Sequence, residues 1–167
     1  MTVSLKDISI RTELKAGDLG HVVLLHGLLY SQEYNYGIGF ESYVAAGLHE
    51  FYTNYDPARD CVWICEYQAE IAGFLLLMHR ENNSAQLRFF IVRPGFRGIG
   101  LGKKLMDLYF SFFHSRNYQH SWLWTTSDLP TAARLYTRYG FRLTKEVPST
   151  AFGKPVTEQR YDWSRDE

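Results

Sequence analysis

Residues 91–103, Ile-Val-Arg-Pro-Gly-Phe-Arg-Gly-Ile-Gly-Leu-Gly-Lys, decide how this chain is read. An apolar stretch, Leu87–Val92, runs into a short loop holding Arg97, Gly98, Gly100 and Gly102. A helix-periodic segment, Leu101–His114, follows at once. Strand, glycine loop and helix together make a phosphate cradle, because glycines let bare N–H groups approach an anion that faces the positive end of the helix. Arg97 adds a fork of donors that matches phosphate oxygens. The stretch points to a pyrophosphate-bearing ligand.

Spacing separates this loop from two commoner ones. A dinucleotide loop needs G-x-G-x-x-G, but counting from Gly98 and Gly100 puts Lys103 at the third glycine position. A nucleotide P-loop ending at Gly102-Lys103 needs glycine at 97 and Ser or Thr at 104, where the chain has Arg97 and Lys104. Neither pattern fits.

The remaining pattern, Val-Arg-Pro-x-x-Arg-Gly-Ile-Gly-Leu-Gly, resembles the GNAT acyltransferase superfamily. That resemblance implies acetyl-coenzyme A as co-substrate, without a metal. It assigns coenzyme binding to Ile91, Val92, Arg97, Gly98, Ile99, Gly100, Leu101, Gly102 and Lys103. A second block, Ala-Ala-Arg-Leu-Tyr-Thr-Arg-Tyr-Gly-Phe at residues 132–141, is similar to the family's A-x-x-L-Y-x-x-x-G-F signature. The block also explains itself locally. Ser127 or Asp128 can cap a helix, Pro130 suits its first turn, and Gly140 suits its left-handed stop. Ala132, Leu135, Tyr136 and Tyr139 share one face.

Composition bounds the alternatives. A chain of 167 residues with 46% apolar composition can bury one core, so residues 1–167 read as a single domain. Lys+Arg and Asp+Glu balance at 18 each, leaving no basic field for nucleic acid. The first residues carry no apolar leader and no run is long enough to span a membrane, which reads as a cytoplasmic protein. Cys61 and Cys65 share one strand face about 13 Å apart, too far to bridge. The six histidines form no H-x-x-x-H pair, so no metal site is expected.

Along the chain, Ile8–Arg11 reads as a strand and Asp18 as the cap of a helix reaching about Tyr30. Gly37-Ile38-Gly39 breaks the chain before a second helix over Phe40–Tyr55. Cys61–Tyr67 and Ile71–Met78 read as a hairpin, followed by a strand over 86–92. Further strands are expected over 122–126, 141–147 and 159–163, with a helix over 129–139. The order fits the fold that the resemblance implies: α/β, with one mixed, mostly antiparallel twisted sheet of about six to seven strands and about four helices. A narrower likeness runs through Lys15–Gly20, Gln86–Arg88 and Leu123–Thr126. It is to acetyltransferase domains fused to winged-helix regulators of the multiple-antibiotic-resistance (MarR) type, and it suggests that the domain here stands alone or meets its regulator as a separate protein.

Acetyl transfer to an amine asks for deprotonation of an ammonium of pKa about 10, an oxyanion donor and an acid for the leaving thiolate. The resemblance places the oxyanion donor at the backbone N–H near Ile91 or Val92, and the acid at Tyr136. Its usual glutamate position falls at or near Gln86, which cannot titrate. The base is then Glu33, Glu41 or a water chain, unless the amine arrives neutral. Tyr30, Glu33, Tyr34 and Tyr36, placed in a link between helices, are expected to line the acceptor site with Gln86. Leu129 stands where many relatives carry an asparagine that contacts the coenzyme's pantetheine arm. The expected activity is N-acetylation of a small-molecule or peptide amine in a ternary complex. The alternative is a catalytically idle fold that senses acyl-CoA. Among relatives homodimers are common.

Overall fold

The computed structural model describes residues 2–166, which contain one seven-stranded sheet and four α-helices. In chain order these are β1 (Ser9–Arg11), α1 (Asp18–Tyr34), α2 (Ile38–Thr53), β2 (Cys61–Tyr67), β3 (Glu70–Arg80) and β4 (Ser84–Val92). They are followed by α3 (Leu101–Ser115), β5 (His120–Thr126), α4 (Pro130–Arg138), β6 (Arg142–Ser149) and β7 (Val156–Ser164). The strands lie in the order β1-β2-β3-β4-β5-β7-β6, and only the β4–β5 pair is parallel.

Both faces of the sheet centre are covered, and β2 and β3 show why. Their residues alternate between two cores: Val62, Ile64, Phe74 and Leu76 pack with α1 and α2, while Trp63, Cys65, Leu75 and Leu77 pack with α3. A strand buried on both sides reads as a continuous apolar run, which is the character of Ile71–Met78. Cys61 and Cys65 are free thiols on the α3 side, and burial pushes their pKa values up to about 11 and about 12. Among the described residues no helix is long and apolar enough to cross a membrane.

Several local expectations are corrected. Helix α1 does not stop at Tyr30 but continues to Tyr34, because nothing in Ser31-Gln32-Glu33 breaks it. Asn35, at φ 59°, ends it by donating to the carbonyls of Ser31 and Tyr30, a left-handed stop of the kind asparagine tolerates. Tyr30, Glu33 and Tyr34 therefore stand on a helix, and only Tyr36 lies in the link. The residue capping α1 is Gly17, while the Asp18 carboxylate accepts bonds from Arg11 and from the Lys15 N–H. The second helix begins earlier than expected, at Ile38, and takes Gly39 into its first turn. A Cβ at Gly39 would stand 2.8 Å from the Ala151 carbonyl oxygen. Glycine there serves close packing rather than a break. Neither Ser127 nor Asp128 caps α4. Its cap is Leu129, and Asp128 turns to Tyr36 and Lys154 instead.

Candidate active site

The sheet splits where β4 and β5 part. They pair only through Ser84–Gln86 and His120–Trp122, after which β4 runs on to Val92 and β5 to Thr126 with no shared ladder. Between them opens a cleft of about 780 Å³. Gln86 is the last paired residue of β4 and sits at the apex of the split. Its side chain is buried, and its Oε1 accepts two bonds from Arg80 at 2.9 and 2.6 Å.

An extra residue in β4 shapes the wall of this cleft. Against β3, Leu76 faces Arg88 and Phe74 faces Ile91, so two steps on β3 match three on β4. Phe89 takes up the surplus at φ 56°. The resulting bulge turns both Arg88 and Phe89 toward α2. Beyond the bulge, the Arg93 N–H donates to the Ala72 carbonyl. Antiparallel alternation then gives the Ile91 N–H to β3 and turns Val92 to the cleft side. The Val92 carbonyl agrees, since it accepts a 3.0 Å bond from Arg97 Nε across that side. Of the two candidate oxyanion donors, Ile91 is thus spent on the ladder and its side chain lies in the core under α1 and α2. Val92 is the one whose N–H faces the cleft.

At the mouth of the cleft lies the glycine loop. Gly98 and Gly100 adopt φ values of 77° and 89°, a left-handed backbone that favours glycine. Gly100 caps α3, and the first bond of that helix runs from the Lys104 N–H to the Gly100 carbonyl. Among the described residues, the backbone N–H groups of residues 98–103 donate to no protein acceptor. Gly98, Ile99, Gly100, Leu101, Gly102 and Lys103 thus form a run of bare donors at a helix N-terminus, which suits an anion. A pyrophosphate fits this cradle.

Arg97, at the start of that cradle, is already paired. Its guanidinium donates twice to Glu33, at 2.8 Å each. The bonds and charge of Arg97 hold the Glu33 carboxyl below the usual carboxylate range, against a smaller opposing effect of burial. Glu33 is therefore the partner of a cradle residue and carries little affinity for a further proton.

Tyrosines line the remaining walls. Tyr136, on the buried face of α4, borders the cleft. Burial raises its pKa above the ordinary phenol range, and no described residue hydrogen-bonds its hydroxyl. Tyr30 borders the same space from α1, and its pKa is raised by burial, with Tyr136, Tyr34 and Tyr36 adding to the rise. Tyr34 is also raised, by burial first and then by Glu33. The Tyr36 hydroxyl is bound to Thr126 Oγ1 at 2.6 Å and donates to Asp128 at 3.3 Å. Burial pushes its pKa up to about 12. Sequence reasoning missed the bulge at Phe89, which no glycine or asparagine announces, and His26. The buried His26 ring stacks on Tyr30, meets Phe89 edge-on and gives its Nδ1–H to the Val22 carbonyl; burial lowers its pKa to about 4, which keeps it neutral. Glu41 does not border the cleft; its side chain lies against Gly27.

The mixed sheet splits beside a mouth of free N–H groups, an arrangement that suits a phosphate-bearing ligand with a long arm. The chain belongs to the Acetyltransferase (GNAT) family, whose model matches residues 29–141. It is 30% identical over 97 residues to the Uncharacterized N-acetyltransferase YjgM of Escherichia coli K12, covering 56% of this chain and 58% of that protein. It is 31% identical over 109 residues to the mycothiol acetyltransferase of Thermobispora bispora, covering 59% of this chain and 35% of that one. The matches thus span less than two thirds of either curated relative. A GNAT-family acetyltransferase structure from Staphylococcus aureus Mu50 superposes with a TM-score of 0.77 at 23% identity, covering 94% of this chain and 98% of the other. One from Elizabethkingia anophelis with acetyl-CoA bound gives a TM-score of 0.65 at 15% identity, covering 95% and 98%.

Proposed function

We propose that the chain is an N-acetyltransferase that moves an acetyl group from acetyl-CoA to an amine. The observation that carries the reading is the run of unpartnered N–H groups at residues 98–103, set at the mouth of the split between β4 and β5. These donors hold the coenzyme pyrophosphate, and the pantetheine arm follows the gap that strand pairing leaves unfilled.

In the transfer, the Val92 N–H receives the charge that gathers on the thioester oxygen, a role in which one donor is typically worth about 10²–10³ in rate. Tyr136 gives its hydroxyl proton toward the departing thiolate. A phenol whose pKa is raised by burial stays protonated at working pH and is available as that donor. Glu33 is bound to Arg97 and orders the cradle rather than taking the amine proton. An ammonium acceptor first loses a proton to water at the open acceptor end, or the acceptor enters neutral; the proton that the nitrogen then sheds as the amide forms also passes to water, from which Tyr136 is reprotonated. Tyr30, Tyr34 and Tyr36 shape the acceptor wall from the side of α1.

A second reading has an observation of its own. Gln86 cannot titrate and Glu33 is engaged, which also suits a domain that binds acyl-CoA and signals to a separately encoded MarR-type regulator without turnover. Mass-spectrometric detection of acetylated products from a pooled amine panel separates the two. An acetyl-CoA-dependent product lost in Tyr136→Phe supports the enzyme, whereas coenzyme binding with no product across the panel supports the sensor.

A further inference from the structure

We propose that the acceptor carries a second cationic centre besides the amine that is acetylated, and that Glu158 receives it in a recess it shares with Tyr43 and Trp124. The inference rests on the acetyltransferase reading and concerns the far end of the same cleft. In the ladders of β7, Glu158 lies opposite Thr126 of β5 and Val147 of β6, and directly opposed residues share a sheet face. Thr126 faces α1 and α2, since its hydroxyl meets Tyr36. Glu158, Val147 and Trp124, two residues before Thr126, therefore face the same way. Together with Tyr43 of α2 they line a side recess of about 220 Å³. Tyr43, Trp124 and Glu158 also border the main cleft, so the recess opens from it.

Charge pairing shows what the recess lacks. Several cations around this end of the cleft are already paired: Arg88 shares Glu50 with Arg80, Arg160 holds Asp162, and Lys154 holds Asp128. The Glu158 carboxylate has no ion pair or hydrogen bond among the described residues. Lys145, diagonal to it on β6 and exposed, makes none with it. The result is a half-buried carboxylate with no counter-charge bonded to it, sharing a recess with Trp124 and with Tyr43, whose ring also lies 5.7 Å from the Arg88 guanidinium carbon. A cation is the group that all three side chains favour, the carboxylate by charge and the rings by their negative faces. A carboxylate or phosphate on the acceptor would be repelled here.

The test titrates the CoA-loaded protein with the α,ω-diamines from propane to hexane and with the monoamines of equal length, for wild type and Glu158→Gln. At least one diamine is expected to bind wild type about tenfold or more tightly than its monoamine, the scale of one charge-assisted contact. Glu158→Gln is expected to remove most of that preference while leaving CoA affinity unchanged. Equal affinity for each diamine and its monoamine overturns the proposal. So does binding of neither, or a preference that survives Glu158→Gln. Because titration needs no turnover, the acetyltransferase reading fails separately, by showing no acetylated product.

Discussion

Arg97 in the glycine loop and Glu33 near the end of α1 hold each other through two parallel bonds of 2.8 Å, tying the cradle to the helix that walls the acceptor site. The pair lowers the Glu33 pKa and raises that of Arg97, so Glu33 is ionised throughout the neutral range. Its folded-state pKa lies below its unfolded value. The pair's stabilisation is therefore present above the ordinary carboxylate pKa and is lost as pH falls through the folded value. Both side chains are partly exposed, which limits the contribution to about 0–1 kcal/mol.

For Glu33→Gln, kcat is expected to fall by less than about tenfold, with the main change in the KM for acetyl-CoA as Arg97 is released. Steady-state kinetics across pH decides it. A loss of about 10²–10⁴ in kcat, with the acidic limb of the profile removed, would make Glu33 the general base after all.

Tyr136→Phe removes a hydroxyl that no described residue bonds, from a ring packed near Phe90, Phe141 and Tyr161. The packing survives in phenylalanine, so the melting temperature should stay within a degree or two and acetyl-CoA affinity within about threefold. Turnover should drop by about 10²–10⁴ if the hydroxyl serves the leaving thiolate. An unchanged kcat would leave Tyr136 as a core aromatic and nothing more.

Gly100→Val tests the cradle. The residue sits at φ 89°, and its Cβ would point toward the Leu5 side chain at 3.9 Å. An L side chain in a left-handed conformation costs about 1–2 kcal/mol. Rearrangement of the loop would turn the N–H groups of residues 98–103 away from a common point. Coenzyme binding by titration is expected to weaken by about a hundredfold or more, with a folded circular-dichroism spectrum retained. Affinity within a few-fold of wild type would place the pyrophosphate elsewhere.

What could be read from the sequence was what is locally encoded. The run from Val92 through Gly102 specifies strand end, left-handed turns and helix start by residue type, so the loop was legible in the chain itself. Gly140 announced its left-handed stop after α4 in the same way. The split between β4 and β5 was not legible, because it depends on two strands brought together from distant parts of the chain, and no local pattern records strand order or where a ladder ends. Nor was the bulge, since a phenylalanine at φ 56° is set by the ladder around it. Glu33 looked like a free carboxylate for a related reason: its partner Arg97 lies 64 residues away in sequence.

The neutral His26 gives the fold a measurable pH dependence. Burial lowers its pKa from 6.5 to about 4, the bond to the Val22 carbonyl only partly opposing the shift. In the unfolded chain the imidazole takes a proton below about pH 6.5, whereas in the fold it does so only near pH 4. The unfolded state therefore binds more protons across that window. Stability falls as pH drops from about 6.5 to about 4, by up to about 3 kcal/mol. His114 is also lowered, by burial and by Arg165, and adds its own share. Asp18 and Glu50, lowered carboxylates, keep their contribution above the ordinary carboxylate pKa and lose it as pH falls below that range. Urea denaturation at steps between pH 7.5 and 4.5 should therefore show a decline that His26→Phe flattens, since phenylalanine keeps the ring contacts with Tyr30 and Phe89 and cannot titrate. If the variant declines as steeply as wild type, the titrating group lies elsewhere, and His26 takes up its proton in the fold as readily as in the unfolded chain.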